Sequence, residues 1–252
     1  MTDFDGLHAL VTGGSRGIGA AITAALTRGG ARVTITGRKE TDLAAQVAGG
    51  KAAAYKIADL SDPAAFAEIM AAAAAKAPID ILVNNAGIAM SAPFLKTADS
   101  DFDMLFRVNV LGTVIASRAV LPGMMARKFG RIVNIASTAA LKGYPYVSAY
   151  VTSKHALLGF TRSLAQEQAK TGITVNAVCP GFTDTDMVGQ AVDRIVAKTG
   201  RDADSARAEI VKTSPMGRLI APAEVADAVC FLARRESGGM TGTTITVAGG
   251  EA

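Results

Sequence analysis

The chain has 252 residues, of which 50% are hydrophobic and 19% charged, and its formal net charge is +4. This size and composition fit one α/β domain with a large core. The basic residues are dispersed, with no run of Lys or Arg longer than two. We therefore expect a solvated basic surface and exclude a nucleic-acid-binding protein.

The first residues and the two cysteines indicate the cellular compartment. Met1–Asp5 lacks the basic and apolar regions of a signal peptide, and no apolar run approaches the ~20 residues that span a bilayer. Cys179 and Cys230 lie in apolar stretches, which predicts two buried small hydrophobes rather than metal or redox groups. These features are consistent with the reducing cytoplasm, so we expect a cytoplasmic protein. No His/Cys/Asp ligand cluster is visible, so we expect no metal.

In chain order, β-branched runs alternate with helical stretches, which favours a parallel sheet of about seven strands covered on both faces. The predicted strands are 8–12, 32–36, 53–58, 79–84, 131–136, 173–178 and 243–247. The predicted helices are 18–29, 40–48, 63–76, 99–127, 150–170 and 222–234. No linker divides the chain into two domains.

The first strand leads directly into a glycine-rich turn. Thr12–Gly19 contains Gly13, Gly17 and Gly19, and a helix-forming run begins at Ala20. Strand, glycine turn and helix together allow backbone N–H groups to approach a pyrophosphate at a helix N-terminus. The alternative is a tight strand-to-helix turn that binds nothing.

A second pattern indicates proton transfer. Tyr150 and Lys154 are four residues apart, so on a helix their side chains share one face, and Ser137 precedes Tyr150 by thirteen residues. A phenol has a pKa of about 10 when unperturbed. A nearby ammonium is expected to lower that pKa, while Ser137 holds a substrate oxygen against the phenol. These three residues predict the interconversion of a ketone and an alcohol.

The motifs resemble the short-chain dehydrogenase/reductase family along nearly the whole chain. They are Thr12-Gly13-x-x-x-Gly17-x-Gly19, Asn84-Asn85-Ala86-Gly87, Asn109, Ser137, Tyr150-x-x-x-Lys154 and Pro180-Gly181. The resemblance implies a doubly wound Rossmann-type domain over 1–252, with residues 182–221 as a lid over the substrate. The alternative for 182–221 is a surface excursion without function.

The resemblance also implies roles. Tyr150 would donate the proton, Ser137 would hydrogen-bond the substrate oxygen, and Lys154 would hold the nicotinamide ribose. Asn109 would hold a water that links Lys154 to solvent; otherwise it is a helix-bending polar residue. The residues expected to bind the cofactor are Gly13, Ser15, Arg16, Gly17, Ile18, Gly19, Arg38, Asp59, Leu60, Asn85, Ala86, Gly87, Tyr150, Lys154, Pro180, Gly181, Thr183 and Thr185.

Charge after the second strand predicts which dinucleotide binds. An acid there would bond a ribose 2′-hydroxyl and repel a 2′-phosphate. The chain has Arg38 instead, and Arg16 supplies a second guanidinium from the glycine turn. We therefore predict NADP(H), the alternative being that both arginines only face solvent.

Substrate and partners are less constrained. The residues expected around the substrate, 88–94 and 138–147, are largely apolar, and 171–182 is similar to 3-oxoacyl-[acyl-carrier-protein] reductases and polyketide ketoreductases. This similarity implies a reductase of 3-oxoacyl or polyketide-type ketones. The alternatives are a dehydrogenase of a free alcohol, sugar or cyclic ketone, and a non-catalytic dinucleotide-binding regulator. Arg127, Lys128 and Arg131 could meet CoA or a carrier protein, or simply cap a helix. Helices 99–127 and 150–170 carry apolar residues around much of their circumference, more than one sheet face can cover. Members of the family that the chain resembles pair these helices between subunits, so the resemblance implies a homotetramer, with a dimer as the alternative.

Overall fold

The computed structural model describes residues 2–251, apart from the side chain of residue 198. Seven parallel strands form one sheet in the order β3-β2-β1-β4-β5-β6-β7. The strands are β1 (His8–Thr12), β2 (Arg32–Gly37), β3 (Ala54–Ile57), β4 (Ile81–Asn84), β5 (Gly130–Ile135), β6 (Ile173–Pro180) and β7 (Thr244–Val247). The predicted parallel sheet is confirmed, and each strand falls within two residues of its predicted bounds.

Nine α-helices lie in the described residues. They are α1 (Gly17–Arg28), α2 (Glu40–Ala48), α3 (Pro63–Lys76), α4 (Asp99–Phe106), α5 (Gly112–Arg127), α6 (Ser148–Gln168), α7 (Asp186–Thr199), α8 (Ala203–Val211) and α9 (Pro222–Ala233). Local chemistry explains several boundaries. At α3, for example, Pro63 occupies the first turn and the Asp62 carboxylate accepts a hydrogen bond from Ala65 N at 3.1 Å.

Two hydrophobic cores cover the two faces of the sheet. On one face, Ile22 and Leu26 of α1 pack with Val225 and Val229 of α9. On the other face, α3 and α5 contribute a second set of buried residues, among them Phe66 of α3. Because both faces are covered, the central strands β4, β5 and β6 are buried at every position.

Strand order reverses between β1 and β4, which are direct neighbours in the sheet with Leu10 paired to Leu82. In open α/β sheets, ligands bind outside the carboxyl ends of the strands at this point of reversal. The Thr12–Gly13 turn and Asn84–Gly87 both leave the sheet there. The topology therefore brings the two glycine-containing motifs together.

The predicted helix 99–127 is not uniform. A five-residue π-helical turn, Arg107–Leu111, joins α4 to α5. We expected no segment apolar enough to span a membrane, but Asp99–Arg127 is long and apolar enough to do so. Half of its most apolar 18-residue window is, however, buried inside the protein. A core helix of a globular protein has this character.

Residues 182–221 contain the two helices α7 and α8. These helices have a small core of their own, built by Val188 and Val192 of α7 with Ala206 and Ile210 of α8. A parallel bridge between Thr183 and Ile220 closes the segment at its base.

Two expectations about single residues are wrong. Cys179 is buried as predicted, but Cys230 is only partly buried, because it lies at the edge of the core between α9 and the sheet. Arg131 does not face a partner: it is 3% exposed. Its guanidinium donates to the carbonyls of Gly130, Gly172, Arg234 and Arg235, so it clamps chain segments together.

Candidate active site

The glycine turn is shaped by close approach of backbone to backbone. Gly13 and Gly17 have φ values of +65° and +52°, a left-handed conformation that favours glycine. A Cβ on Gly19 would lie 2.1 Å from the Gly13 carbonyl oxygen. The turn therefore requires glycine, and it leaves the N-terminus of α1 open to an anion.

Asn85 ties this turn to the end of β4. Its side-chain amide donates to the carbonyls of Thr12 and Gly13 at 2.9 and 3.1 Å. In return, Thr12 Oγ1 accepts from the backbone N–H groups of Asn85 and Ala86, each at 3.0 Å. The Asn85 side chain is thus committed to holding the turn, and any cofactor contact would come from neighbouring backbone. Thr12 was not among the predicted site residues, although it stands in the motif.

Gly87 provides room for two functional side chains. A Cβ on Gly87 would lie 3.1 Å from Asn109 Oδ1 and 3.6 Å from Lys154 Nζ. Any larger residue would press against the Asn109 amide oxygen and crowd the Lys154 ammonium. Residues from the segment after β4, from the π turn and from α6 therefore meet at one point.

Asn109 is buried in the π turn, and its amide makes three of the four hydrogen bonds open to it, which leaves one acceptor position on Oδ1. Oδ1 accepts from Ile88 N at 2.9 Å, while Nδ2 donates to Ile88 O at 3.0 Å and to Ser153 Oγ at 3.0 Å. Ser153 Oγ in turn donates to the Tyr150 carbonyl at 2.8 Å. The π turn, which often marks functional sites, holds Asn109 against α6. Ser153 is a site residue that the sequence analysis missed.

Lys154 reaches back from α6 to the sheet. Its Nζ donates to the Ile135 carbonyl at 2.9 Å and lies 5.8 Å from the centroid of the Tyr150 ring. The side chain is 5% exposed. Burial lowers the pKa of Lys154 to about 8, because the charged form loses its hydration.

Tyr150 and Ser137 are close neighbours at the same edge. Burial raises the pKa of the Tyr150 phenol, and the Ser137 hydroxyl opposes this by a smaller amount. The expectation of a lowered tyrosine pKa is therefore wrong for the protein alone, since burial penalises the phenolate. Ser137 Oγ also accepts from Ala139 N at 3.1 Å, which caps a short 3₁₀ turn over 138–140.

The expected adenosine end lies beyond β2 and β3. Arg38 follows β2 and is exposed. The Asp59 carboxylate accepts from Ser61 N, which lowers its pKa, and Arg38 contributes a smaller lowering. Leu60 is buried against Gly112. Arg38 and Asp59 thus lie near each other, as a site for an adenosine ribose requires.

The segment after β6 approaches the glycine turn from the other side. Thr183 Oγ1 donates to the Gly181 carbonyl at 3.0 Å, and Thr185 Oγ1 donates to the Thr183 carbonyl at 3.2 Å. A Cβ on Gly17 would lie 3.1 Å from Thr185 Cγ2. Thr185 therefore stands beside the glycine turn, where a phosphate oxygen could be shared. Arg16 forms an ion pair with Asp186 of α7 at 3.3 Å.

A small cavity opens at the start of α6. Its lining includes Met90 from 88–94 and Tyr146 from 138–147, the two segments predicted to surround the substrate. Ala92 N donates to the Tyr146 carbonyl at 2.8 Å, which joins the two segments. Tyr146 has a φ of +67°, a strained conformation for a non-glycine residue, and its side chain is 67% exposed.

The described residues contain no group of three or more His, Cys, Asp and Glu side chains that could hold a metal. The glycine cradle, the space at Gly87 and the two arginines fit a dinucleotide phosphate instead. The residues suited to hold it are the turn 13–19, Arg38, Lys154 and Thr185.

Comparison with known proteins agrees with this geometry. The family described as short chain dehydrogenase matches residues 7–195. The short-chain reductase protein NovJ of Streptomyces niveus is 41% identical over 247 residues, which cover 96% of this chain and 92% of the relative. Acetoacetyl-CoA reductase of Shinella zoogloeoides is 41% identical over 244 residues, covering 96% and 97%.

A solved structure extends the likeness to the fold. The crystal structure of an actinorhodin polyketide ketoreductase variant with NADPH superposes with a TM-score of 0.92 at 34% identity, covering 100% of this chain and 99% of that one. Sequence and fold therefore lead to the same family over essentially all described residues. This chain belongs to the short-chain dehydrogenase family.

Proposed function

We propose that the protein is an NADP(H)-dependent ketoreductase that interconverts a ketone and a secondary alcohol. The observation that supports this most is the meeting of Asn109, Tyr150 and Lys154 beside Gly87, with Ser137 next to the Tyr150 phenol. The NADPH in the polyketide ketoreductase structure agrees with NADP(H) as the cofactor.

NADPH, when bound, supplies a hydride to the carbonyl carbon. The protein's own groups act on the carbonyl oxygen. Tyr150 donates its phenolic proton to that oxygen, and the Ser137 hydroxyl donates a hydrogen bond that stabilises the charge developing there. The Lys154 ammonium, whose Nζ lies 5.8 Å from the centroid of the Tyr150 ring, stabilises the phenolate that Tyr150 becomes.

Asn109 keeps these groups in place. Its amide fixes both Ile88 and Ser153, and Ser153 holds the Tyr150 backbone. The predicted water between Asn109 and Lys154 would occupy the space that Gly87 leaves, and it would return a proton from solvent toward Lys154. Preorganised groups of this kind cost little reorganisation when the reaction occurs.

For the substrate we propose a 3-oxoacyl or polyketide-type ketone carried as a thioester on CoA or an acyl carrier protein. Support comes from the acetoacetyl-CoA reductase relative and the polyketide ketoreductase structure. The alternative, a free secondary alcohol, sugar or cyclic ketone, uses the same catalytic groups. With Arg131 buried, Arg127 and Lys128 remain the candidates near a carrier, and Arg127 is already paired with Asp80.

A turnover screen tests the function. NADPH oxidation is followed with acetoacetyl-CoA, ethyl acetoacetate, a cyclic ketone and a sugar ketone, with Tyr150→Phe as the inactive control. We expect turnover in the wild type, highest with the thioester. NADPH binding without turnover of any ketone would contradict catalysis and favour the regulator.

We also propose a cytoplasmic homotetramer in which 182–221 closes over the substrate as a lid. Met104 and Phe106 of α4 are 41% and 50% exposed, so part of the apolar surface of 99–127 lacks a cover within one chain. Light scattering at micromolar concentration should give a tetramer, with a dimer as the alternative. A monomer would contradict the proposal.

A further inference from the structure

Glu251 is a carboxylate that the mechanism does not use, and it lies deep in the protein. Its side chain is only 3% exposed although it stands next to the end of the chain. Oε1 accepts from the Tyr144 hydroxyl at 2.6 Å. The Tyr144 oxygen also lies 2.7 Å from Thr138 Oγ1, and Thr138 is the residue after Ser137. One hydroxyl bridge therefore connects Glu251 to the turn that begins at Ser137.

The second oxygen of Glu251 faces the expected cofactor segment. A Cβ on Gly181 would lie 2.9 Å from Oε2. Within residues 2–251, Oε2 is buried and has no hydrogen-bond partner. Burying a carboxylate oxygen without a partner is costly, and such groups are uncommon unless they have a function.

One cation compensates this charge in part. Lys142 Nζ is 3.7 Å from Glu251 Oε1 and also donates to the Glu251 backbone carbonyl. The Lys142 side chain is 40% exposed, so water screens its charge more than that of Glu251. The negative charge of Glu251 is therefore only partly compensated on the side that faces Gly181.

From this geometry we infer that Glu251 is a specificity-determining residue, which excludes substrates that carry a carboxylate close to the reacting carbonyl. The inference rests on the proposed ketone reduction and narrows its substrate class. A free 3-oxo acid would bring its negative charge toward the same edge, where like charges repel in a medium of low dielectric. An ester or thioester of the same acid is neutral at that position and escapes the repulsion.

The test compares two substrates that share the reacting ketone and differ in this charge and in the ethyl group of the ester. Ethyl acetoacetate and free acetoacetate are each assayed with NADPH, and kcat/KM is expressed as the ester-to-acid ratio. In the wild type the ratio should exceed about tenfold. Glu251→Gln keeps the side-chain shape and removes the charge, so the ratio should fall about tenfold, through faster use of the acid.

Two further variants separate charge from structure. Lys142→Met removes the compensating cation and should raise the ratio, opposite in direction to Glu251→Gln. Tyr144→Phe removes the hydroxyl bridge but keeps the Glu251 charge, so it should leave the ratio within about twofold even where it slows both substrates.

The outcomes are distinguishable. A ratio near one in the wild type, or a ratio that neither Glu251→Gln nor Lys142→Met changes, would overturn the role of Glu251 while ketone reduction stands. If Glu251→Gln does not fold, the direction of the Lys142→Met effect decides. If the wild type reduces neither substrate nor any ketone of the screen, the proposed function falls and this inference falls with it.

Discussion

The two ends of the expected cofactor site are built differently. Around Tyr150, the groups Asn109 and Lys154 are 1% and 5% exposed, and each is held by hydrogen bonds to backbone. At the 2′-phosphate end, Arg38 is exposed, and the Arg16 side chain is 57% exposed. Buried, fixed groups act on the transition state and so change kcat. Solvent-exposed charges discriminate between ligands through small differences in binding free energy. Substitutions at the buried end should therefore change kcat, and substitutions at the exposed end should change the selectivity for the cofactor.

The largest effect is expected at the buried end. Tyr150→Phe keeps the ring but removes the proton donor, so kcat for ketone reduction should fall by roughly 10²–10⁴-fold, while the Kd for NADPH changes little. Tyr55→Phe is the matched control, since Tyr55 lies on the edge strand β3, away from the reacting groups, and its hydroxyl donates to Glu40. Retention of most activity by Tyr150→Phe would show that another group is the acid.

At the exposed end, Arg38→Asp should change selectivity rather than rate. A carboxylate repels the 2′-phosphate and can bond a ribose 2′-hydroxyl, so the ratio of kcat/KM for NADPH over NADH should fall by about 100-fold and reverse. Arg32→Asp, at the start of β2, the strand that Arg38 follows, is the charge-matched control. A wild type that uses NADH as well as NADPH would contradict the proposed preference.

The dependence of kcat/KM on pH tests the charge of Lys154 at the buried end. Lys154 has a pKa lowered to about 8, so it loses its charge as pH rises through that value, while the raised pKa of Tyr150 keeps the acid protonated. Above about pH 8, kcat/KM for reduction should fall about tenfold per pH unit. Activity regained on return to neutral pH controls for unfolding. A flat profile up to about pH 10 would exclude a charged Lys154 from the mechanism.

The smallest effect is expected at the ion pair between Arg16 and Asp186. Asp186 competes with a 2′-phosphate for Arg16, and exposed pairs contribute about 0.2–1 kcal/mol. Asp186→Asn should therefore tighten NADPH binding by up to about fivefold and leave NADH binding unchanged. Asp193→Asn, on the exposed side of the same helix α7, serves as the control. Equal changes for both cofactors would exclude competition at Arg16.

The sequence predicted local features well and long-range ones less well. Strands and helices follow from short patterns, and Ser137, Tyr150 and Lys154 follow from a motif confined to eighteen residues. Ser153 and the π turn were missed because they depend on how α6 packs against 107–111. Glu251 was missed because its partners Lys142 and Tyr144 are more than 100 positions away, and no local pattern marks a carboxylate that will be buried.

The π turn at 107–111 also has a consequence for the surfaces of the long helix. An α-helix advances about 100° per residue, so one extra residue in a turn rotates everything beyond it by about that angle. The apolar sides of α4 and α5 therefore cannot form one straight stripe. Val120 and Met124 of α5 are buried in the core, whereas Met104 and Phe106 of α4 are exposed. The apolar residues of α5 are thus constrained by packing against the sheet, whereas those of α4 are constrained independently by whatever covers that helix.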